Sequence, residues 1–209
     1  MDADRRLAEL DLRYLFRSVQ GMMRFLFRRF RRRRYRRVAT PRKLKQGDTI
    51  LHRGERLTLR ISEDRNRLQG CETCAGFLDV NLPDANAGSA ERGEEVRLEV
   101  ALWQKREARL VFRERTDFWA EQLKVKYRRL TPSNPRRQWG SCSARDDIRI
   151  NWRLIMTAPE LLDYVVVHEL CHVTHKNHSW RFWNMVATVM PDWKARRMQL
   201  RQLDPAANP

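Results

Sequence analysis

Alternating apolar and polar residues over positions 46–101 predict a small antiparallel sheet. The segment "DTILHRGERLTLRIS" alternates on both sides of an Arg-Gly pair, the pattern of two strands joined by a tight turn. "FLDVNLP" and "EVRLEVAL" predict further strands, and the Gly- and Asn-containing stretch "DANAGSAERGE" separates them. This part of the chain is therefore expected to be a β region.

The pattern changes from strand to helix and back in the next fifty residues. Residues 102–124 contain neither proline nor glycine and are rich in Glu, Lys, Arg, Ala and Leu, which predicts a long connecting helix. "DIRINWRLI" then alternates as a strand, with Ile148, Ile150, Trp152 and Leu154 on one face. "QWGSCS" and the turn-like "ARDD" before it predict an antiparallel partner strand.

A second helix is predicted to begin at "TAPE". Thr157 can cap it, Glu160 can complete a capping box, and Pro159 suits the first turn. The helix continues through "LLDYVVV", which is apolar on nearly every side and predicts a buried central helix. A shorter helix is expected from Ser179, a natural N-cap, to just before Pro191. The pattern as a whole predicts an α+β protein with an N-terminal sheet, a connecting helix and a core built on the central helix.

Charge sets the N-terminal arm at 1–45 apart from the rest of the chain. The formal net charge is +17, and the arm contributes +12 of it with sixteen Lys/Arg against four Asp/Glu. Within the arm, "LRYLFRSVQGMMRFLFRRF" groups arginines on one helical face, and "RRFRRRRYRR" has eight arginines in ten residues. Two interpretations stay open, a solvated tail and a contact between residues 12–37 and nucleic acid or an anionic membrane surface.

Cysteine usage and hydropathy limit the class of protein. Four cysteines in 209 residues do not make a disulfide scaffold, and the pair Cys71 and Cys74 has no second pair with which to form a zinc ribbon. No apolar run approaches the roughly 20 residues that span a bilayer, and the N-terminus lacks the apolar core of a secretory signal. We therefore expect a cytoplasmic protein without a transmembrane segment.

Four of the five histidines lie within "HELCHVTHKNHS", residues 168–179. Residues four apart on a helix lie one above the other, so His168 and His172 can direct two imidazoles at one metal ion. Glu169 is rotated toward a neighbouring face, where it can act on a metal-held water as general base without binding the ion. The H-E-x-x-H pattern also arises by chance, but burying two histidines and a glutamate unpaired in an apolar helix would be costly.

A catalytic zinc ion requires a third protein ligand. His178 is favoured, because the chain can leave the helix near Lys176 and Asn177 and bring that imidazole back to the ion. The alternatives are His175, which would point away if the helix continued, and a carboxylate elsewhere in the chain. The histidine spacing thus predicts one zinc ion per chain.

The ordered series "WGSCS", "NWRLI", "YVVVHELCH", "NHSWRFW" and "MPDWKARR" resembles the YgjP-like family of metal-dependent hydrolases, which is related to the SprT-like and WLM metallopeptidases. The resemblance spans about residues 138–200. It implies a minimal zincin-like core, with the active-site helix on a small sheet and His178 as third ligand. We assign this core to residues 102–200 and a tail to residues 201–209. The arm at 1–45 is a departure about which the resemblance says nothing.

These observations favour a zinc metallopeptidase that cleaves peptides or proteins. Trp139, Gly140 and Ser141 are candidate substrate-binding residues, because a strand beside a metal site can accept an extended peptide and a glycine permits close approach. An ordinary sheet glycine is the alternative for Gly140. The alternative for the protein is a nucleic-acid-associated function in which the basic arm dominates.

Overall fold

The computed structural model describes residues 43–82 and 89–203. Nearly all of the arm predicted at 1–45 and most of the tail at 201–209 lie outside the described residues. The described part is an α+β fold, with a four-stranded sheet, a long helix, a three-stranded sheet and three further helices. This confirms the predicted fold class. None of its helices is long and apolar enough to cross a membrane.

The first sheet has the order β1-β2-β4-β3, formed by β1 (Thr49–His52), β2 (Glu55–Ser62), β3 (Gly70–Cys74) and β4 (Phe77–Asn81). The β1–β2 hairpin is the predicted one, and its turn residues Arg53 and Gly54 both have positive φ, as a tight hairpin turn requires. The prediction of a wholly antiparallel sheet is wrong at one pair. β3 and β4 form a hairpin of their own, and its second strand lies parallel to β2.

Helix α1 (Ser89–Leu123) is longer than predicted and includes "EVRLEVAL", so the strand predicted there is wrong. The apolar residues of that segment fit both periods. Val96, Val100 and Trp103 recur at steps of four and three and are buried together against the first sheet. Leu44 belongs to the same cluster, and its N–H donates to Gly93 O at 2.9 Å, which fixes the chain to α1.

The second sheet has the order β5-β7-β6, formed by β5 (Arg129–Ser133), β6 (Gly140–Cys142) and β7 (Asp147–Asn151). The predicted antiparallel pair is β6 with β7, while β5 lies parallel to β7 and was not predicted. The predicted strand ends at Asn151 and not at Ile155. The Asn151 side chain accepts a hydrogen bond from Arg153 N and starts a 3₁₀ helix over Trp152–Met156.

Helix α2 (Pro159–Thr174) is the buried central helix, and α3 (Trp180–Val189) and α4 (Trp193–Leu200) follow it. The predicted capping box is wrong. Ala158 occupies the N-cap position, and the Thr157 hydroxyl donates to Leu154 O at 2.8 Å and so is turned back to the preceding 3₁₀ helix. Pro159 does occupy the first turn, and α3 begins after Ser179 and ends before Pro191, as expected.

Candidate metal centre

Three histidine side chains converge at the end of α2. His168 and His172 lie one turn apart on the helix, and His178 comes from the segment that joins α2 to α3. One ring nitrogen from each lies within 4.8 Å of the others, and the Nε2 atoms of His168 and His178 are 3.0 Å apart. The geometry thus brings together the three residues that the sequence selected.

The end of α2 explains how His178 reaches this position. His175 is the C-cap residue and has an extended backbone, with φ −122° and ψ 99°, so the chain leaves the helix there. The side chain of His175 is outside the cluster, but its carbonyl oxygen lies 2.9 Å from His172 Nδ1. A proton on Nδ1 would donate to that carbonyl and leave the other ring nitrogen, Nε2, as an electron-pair donor.

Aromatic side chains form the floor of the cluster. The Phe182 ring is fully buried and lies 4.5–4.9 Å, centre to centre, from all three imidazoles. The Trp183 ring stacks on His178 at 5.6 Å, and Trp193 stacks on Trp183 at 4.2 Å. None of these three residues was among the site residues predicted from the sequence. The position of Phe182 four residues after His178, in the first turns of a helix, is the signal that could have indicated its contact with the site.

Burial keeps the imidazoles neutral. Burial, followed by the neighbouring His172, His178 and Arg197, lowers the pKa of His168 to about 3. Burial is also the largest cause of the lowered pKa of His172 and of His178. The Nδ1 atom of His168 is buried without a hydrogen-bond partner. Three neutral imidazoles whose nitrogens face one point fit a small divalent cation, since metals bind the unprotonated ring.

Glu169 lies beside the cluster and outside it. Its side chain is 5% exposed, and burial raises its pKa to about 8. Its neighbour is Gly140 on β6: a Cβ atom placed on that glycine would lie 2.6 Å from Glu169 Oε1 and 2.8 Å from its Cγ. The glycine therefore provides the space that the glutamate occupies, a role that the sequence did not reveal.

Strand β6 is an edge strand of the second sheet within the described residues. It contains the candidate substrate-binding residues Gly140 and Ser141, and Trp139 comes directly before it. Trp139 O accepts from Asn151 N, and Ser143 N donates to Asp147 O, so residues 139, 141 and 143 face β7. Antiparallel pairing alternates, so the backbone groups of Gly140 and Cys142 point to the open edge. Of the three candidates, only Gly140 directs its backbone away from the sheet.

A sequence model described as "YgjP-like, metallopeptidase domain" matches residues 8–203. The chain belongs to the YgjP-like family. This membership places it among metal-dependent peptidases, and the histidine cluster of this family member is a group that could hold the metal.

Comparisons with curated proteins and with solved structures give the following results. No curated protein gives a significant match to the chain. Among solved structures, the metallopeptidase zymogen abylysin of Pyrococcus abyssi is 19% identical, with a TM-score of 0.40 over 44% of this chain and 97% of that one. The metallopeptidase zymogen jannalysin of Methanocaldococcus jannaschii is 20% identical, with a TM-score of 0.38 over 44% and 94%.

Proposed function

We propose that this YgjP-like protein is a zinc-dependent peptidase in which His168, His172 and His178 hold the ion. The observation that carries the proposal is the convergence of three neutral imidazoles next to a buried carboxyl group. Three nitrogen ligands with one position open are the usual protein contribution to a catalytic zinc ion. An all-imidazole ligand set also disfavours calcium and magnesium, which prefer oxygen.

Glu169 is the general base and acid of the proposed reaction. A bound zinc ion would polarise the scissile carbonyl group and make the attacking water more acidic. The Glu169 carboxylate accepts the proton of that water and later passes it to the leaving amine. Burial raises the pKa of Glu169 to about 8. A bound zinc ion would favour the carboxylate form, which is the form that acts as a base.

An extended peptide is the substrate that strand β6 would accept. The outward backbone groups of Gly140 and Cys142 offer two donors and two acceptors along an edge that ends beside Glu169. Trp139 and Ser141 contribute indirectly, because their backbone groups hold β6 to β7. A peptide added as a further strand would bring a carbonyl group to the carboxylate and the imidazoles.

Metal analysis combined with a peptide assay tests the proposal. The purified protein is expected to bind one zinc ion per chain and to cleave peptides from an internally quenched library, with loss of cleavage after chelation and recovery with zinc. Glu169→Gln should bind zinc as the wild-type protein does and lose hydrolysis by about 10²–10⁴-fold. A protein that binds no zinc after reconstitution would exclude this function.

A second function is favoured by the charge of the arm. Eight arginines in ten residues are suited to a dense array of phosphates, so we propose that residues 12–37 bind nucleic acid. An anionic membrane surface is the alternative partner, because the spacing of apolar residues in the same segment predicts an apolar face on a helix.

A further inference from the structure

Arg197 brings an unpaired positive charge to the edge of the candidate metal centre. Its Cζ atom lies 4.8 Å from the centre of the Trp183 ring, which in turn stacks on His178. Within residues 43–82 and 89–203, no carboxylate pairs with Arg197, and its guanidinium makes no hydrogen bond. Arg201, one helical turn further on, has no acidic partner among those residues either. The two arginines thus form a positive corner beside the histidines.

The neighbouring arginine on the same helix has a different environment. Arg196 forms an ion pair with Asp192 at 2.8 Å and donates to Glu160 O at 3.1 Å. Asp192 therefore neutralises Arg196, whereas Arg197 has no acidic partner in the part of the chain that the structure describes, although the two arginines are adjacent in sequence. Arg196 is for this reason a matched control for any experiment on Arg197.

The positive corner is unfavourable by itself. Like charges four residues apart on a helix repel one another, and the charge of Arg201 adds to burial in lowering the pKa of Arg197. The charge of Arg197 also contributes to the lowered pKa of His168 and of His178. An unpaired cation next to a site for a divalent cation weakens metal binding, unless an anion binds between them.

We infer that Arg197 is a substrate-binding residue that recognises a carboxylate group of the peptide. The inference rests on the proposed peptidase function and defines its substrate class. A guanidinium binds a carboxylate through two parallel hydrogen bonds, and Arg201 adds attraction without a further contact. The carboxylate has two sources, the C-terminus of the peptide and an Asp or Glu side chain near the scissile bond.

Matched peptides distinguish the two sources. Three internally quenched peptides share one cleavable core: the first ends in a free carboxylate, the second in an amide, and the third in an amide with Glu replacing Gln beside the scissile bond. The wild-type protein is expected to show a higher kcat/KM for one acidic peptide than for the neutral one. Arg197→Met should lower that ratio about tenfold, the effect of losing a hydrogen bond between charged groups.

Two further variants separate recognition from packing. Arg196→Met should keep the acidic-to-neutral ratio of the wild-type protein. Arg197→Lys keeps the positive charge but loses the planar guanidinium that can donate two parallel hydrogen bonds. Its acidic-to-neutral ratio of kcat/KM should therefore fall between those of the wild-type protein and Arg197→Met. Equal kcat/KM losses on all three peptides in Arg197→Met would assign the residue a packing role and overturn the inference.

A binding measurement separates this inference from the peptidase proposal. Calorimetric titration of zinc-loaded Glu169→Gln protein with N-acetyl-leucine, N-acetyl-glutamate α-amide and N-acetyl-leucine amide requires no turnover. At least one carboxylate should bind about tenfold more tightly than the amide, and adding Arg197→Met should remove the difference. Cleavage without any carboxylate preference, or a preference that survives Arg197→Met, overturns the inference alone. Arginine-dependent carboxylate binding without cleavage of any peptide overturns the proposed function alone.

Discussion

Glu169 on α2 occupies the space that a side chain at Gly140 on β6 would require. A Cβ atom on Gly140 would lie 2.6 Å from Glu169 Oε1 and 2.9 Å from Val165 Cγ1. No real Cβ atom approaches its neighbours so closely, so any other residue at position 140 must displace the carboxyl group or the strand. The glutamate of the H-E-x-x-H motif therefore requires the glycine of "WGSCS" in order to keep its position.

The first prediction follows from this arrangement. Gly140→Ala should lower kcat by about 10²-fold, because a misplacement of about 1 Å of a catalytic group has an effect of that size. Zinc content should stay at the wild-type value, since the imidazoles are untouched. The free energy of unfolding should fall by about 1–3 kcal/mol, the cost of overpacking. Steady-state kinetics, metal analysis and urea unfolding measure the three quantities.

Gly93→Ala is the matched control for that experiment. Gly93 is also crowded, because a Cβ atom there would lie 3.0 Å from Lys43 Cβ and 3.1 Å from Leu44 O, but it lies at the other end of the described fold, near the start of α1. Its substitution should affect stability without changing the rate of hydrolysis per bound zinc ion. Full activity in Gly140→Ala would show that the carboxyl group tolerates displacement.

The second prediction distinguishes two histidines. His178→Ala should weaken zinc binding by at least about 100-fold, because it removes one of three ligands. His175→Ala should change the affinity only a few-fold, since the residue contributes its backbone carbonyl to His172 and the substitution keeps that carbonyl. Competition with a fluorescent chelator measures both affinities. A larger loss in His175→Ala would mean that the third ligand is assigned to the wrong histidine.

The third prediction concerns acid stability and a histidine far along the sequence from the cluster. The His52 ring lies 4.5 Å, centre to centre, from the Trp103 ring and is tilted by 39° from it. Its Nδ1 atom is buried without a hydrogen-bond partner, and burial, followed by the charge of Arg53, lowers its pKa to about 4. Below the unfolded-state pKa of 6.5 the unfolded chain binds the proton and the folded chain does not. The stability that neutral His52 provides is therefore present above pH 6.5 and is lost as the pH falls toward 4.

His52→Phe removes this titration and keeps a ring against Trp103. The difference in unfolding free energy between variant and wild-type protein should shift in favour of the variant by about 2–3 kcal/mol between pH 7 and pH 4. Urea unfolding at a series of pH values measures it. A difference that stays constant over this range would show that His52 is protonated in the folded protein.

The fourth prediction concerns the N-terminal arm and the residue at which a deletion of it should end. Leu44 is buried, and its N–H donates a hydrogen bond to Gly93 O. A deletion that ends after Lys45 would therefore remove a core residue together with the arm. Deletion of residues 1–42 keeps Leu44. It should abolish most binding to DNA or RNA, and the wild-type affinity should fall steeply as salt rises, because phosphate contacts release counterions. Fluorescence anisotropy over a salt series tests both statements.

Replacing Phe16, Leu26 and Phe27 with serine separates the two partners of the arm. Vesicle binding requires insertion of apolar side chains and should be lost, whereas a contact with phosphates alone should remain nearly intact. Equal polyanion binding by the full-length chain and the chain without residues 1–42 at low salt would show that the arm is a solvated tail.

The histidine cluster could be predicted because its geometry is local. Helical spacing fixes His168 and His172, and a helix end at His175 brings His178 back within ten residues of His168. Strand β5 could not be predicted in the same way, because it is short, contains Pro132 and is held by pairing with β7. The arrangement of Glu169 beside Gly140 involves residues 29 positions apart, and no periodicity in the sequence encodes it.

Helix α1 is one continuous helix that packs against both the first sheet and the core that contains the histidine helix. At about 1.5 Å per residue, its 35 residues extend for about 50 Å. Val96 and Val100 bury one end against the first sheet, and Ala108 and Phe112 bury the next turns in the core that contains the histidine helix. Inserting one residue between Val100 and Ala108 would rotate one sheet by about 100° relative to the other, whereas inserting seven would nearly complete two turns. The hydrogen bond from Arg53 N to Ile155 O, 2.6 Å long, also joins these two parts of the fold, so the length of α1 between them cannot change without breaking that contact.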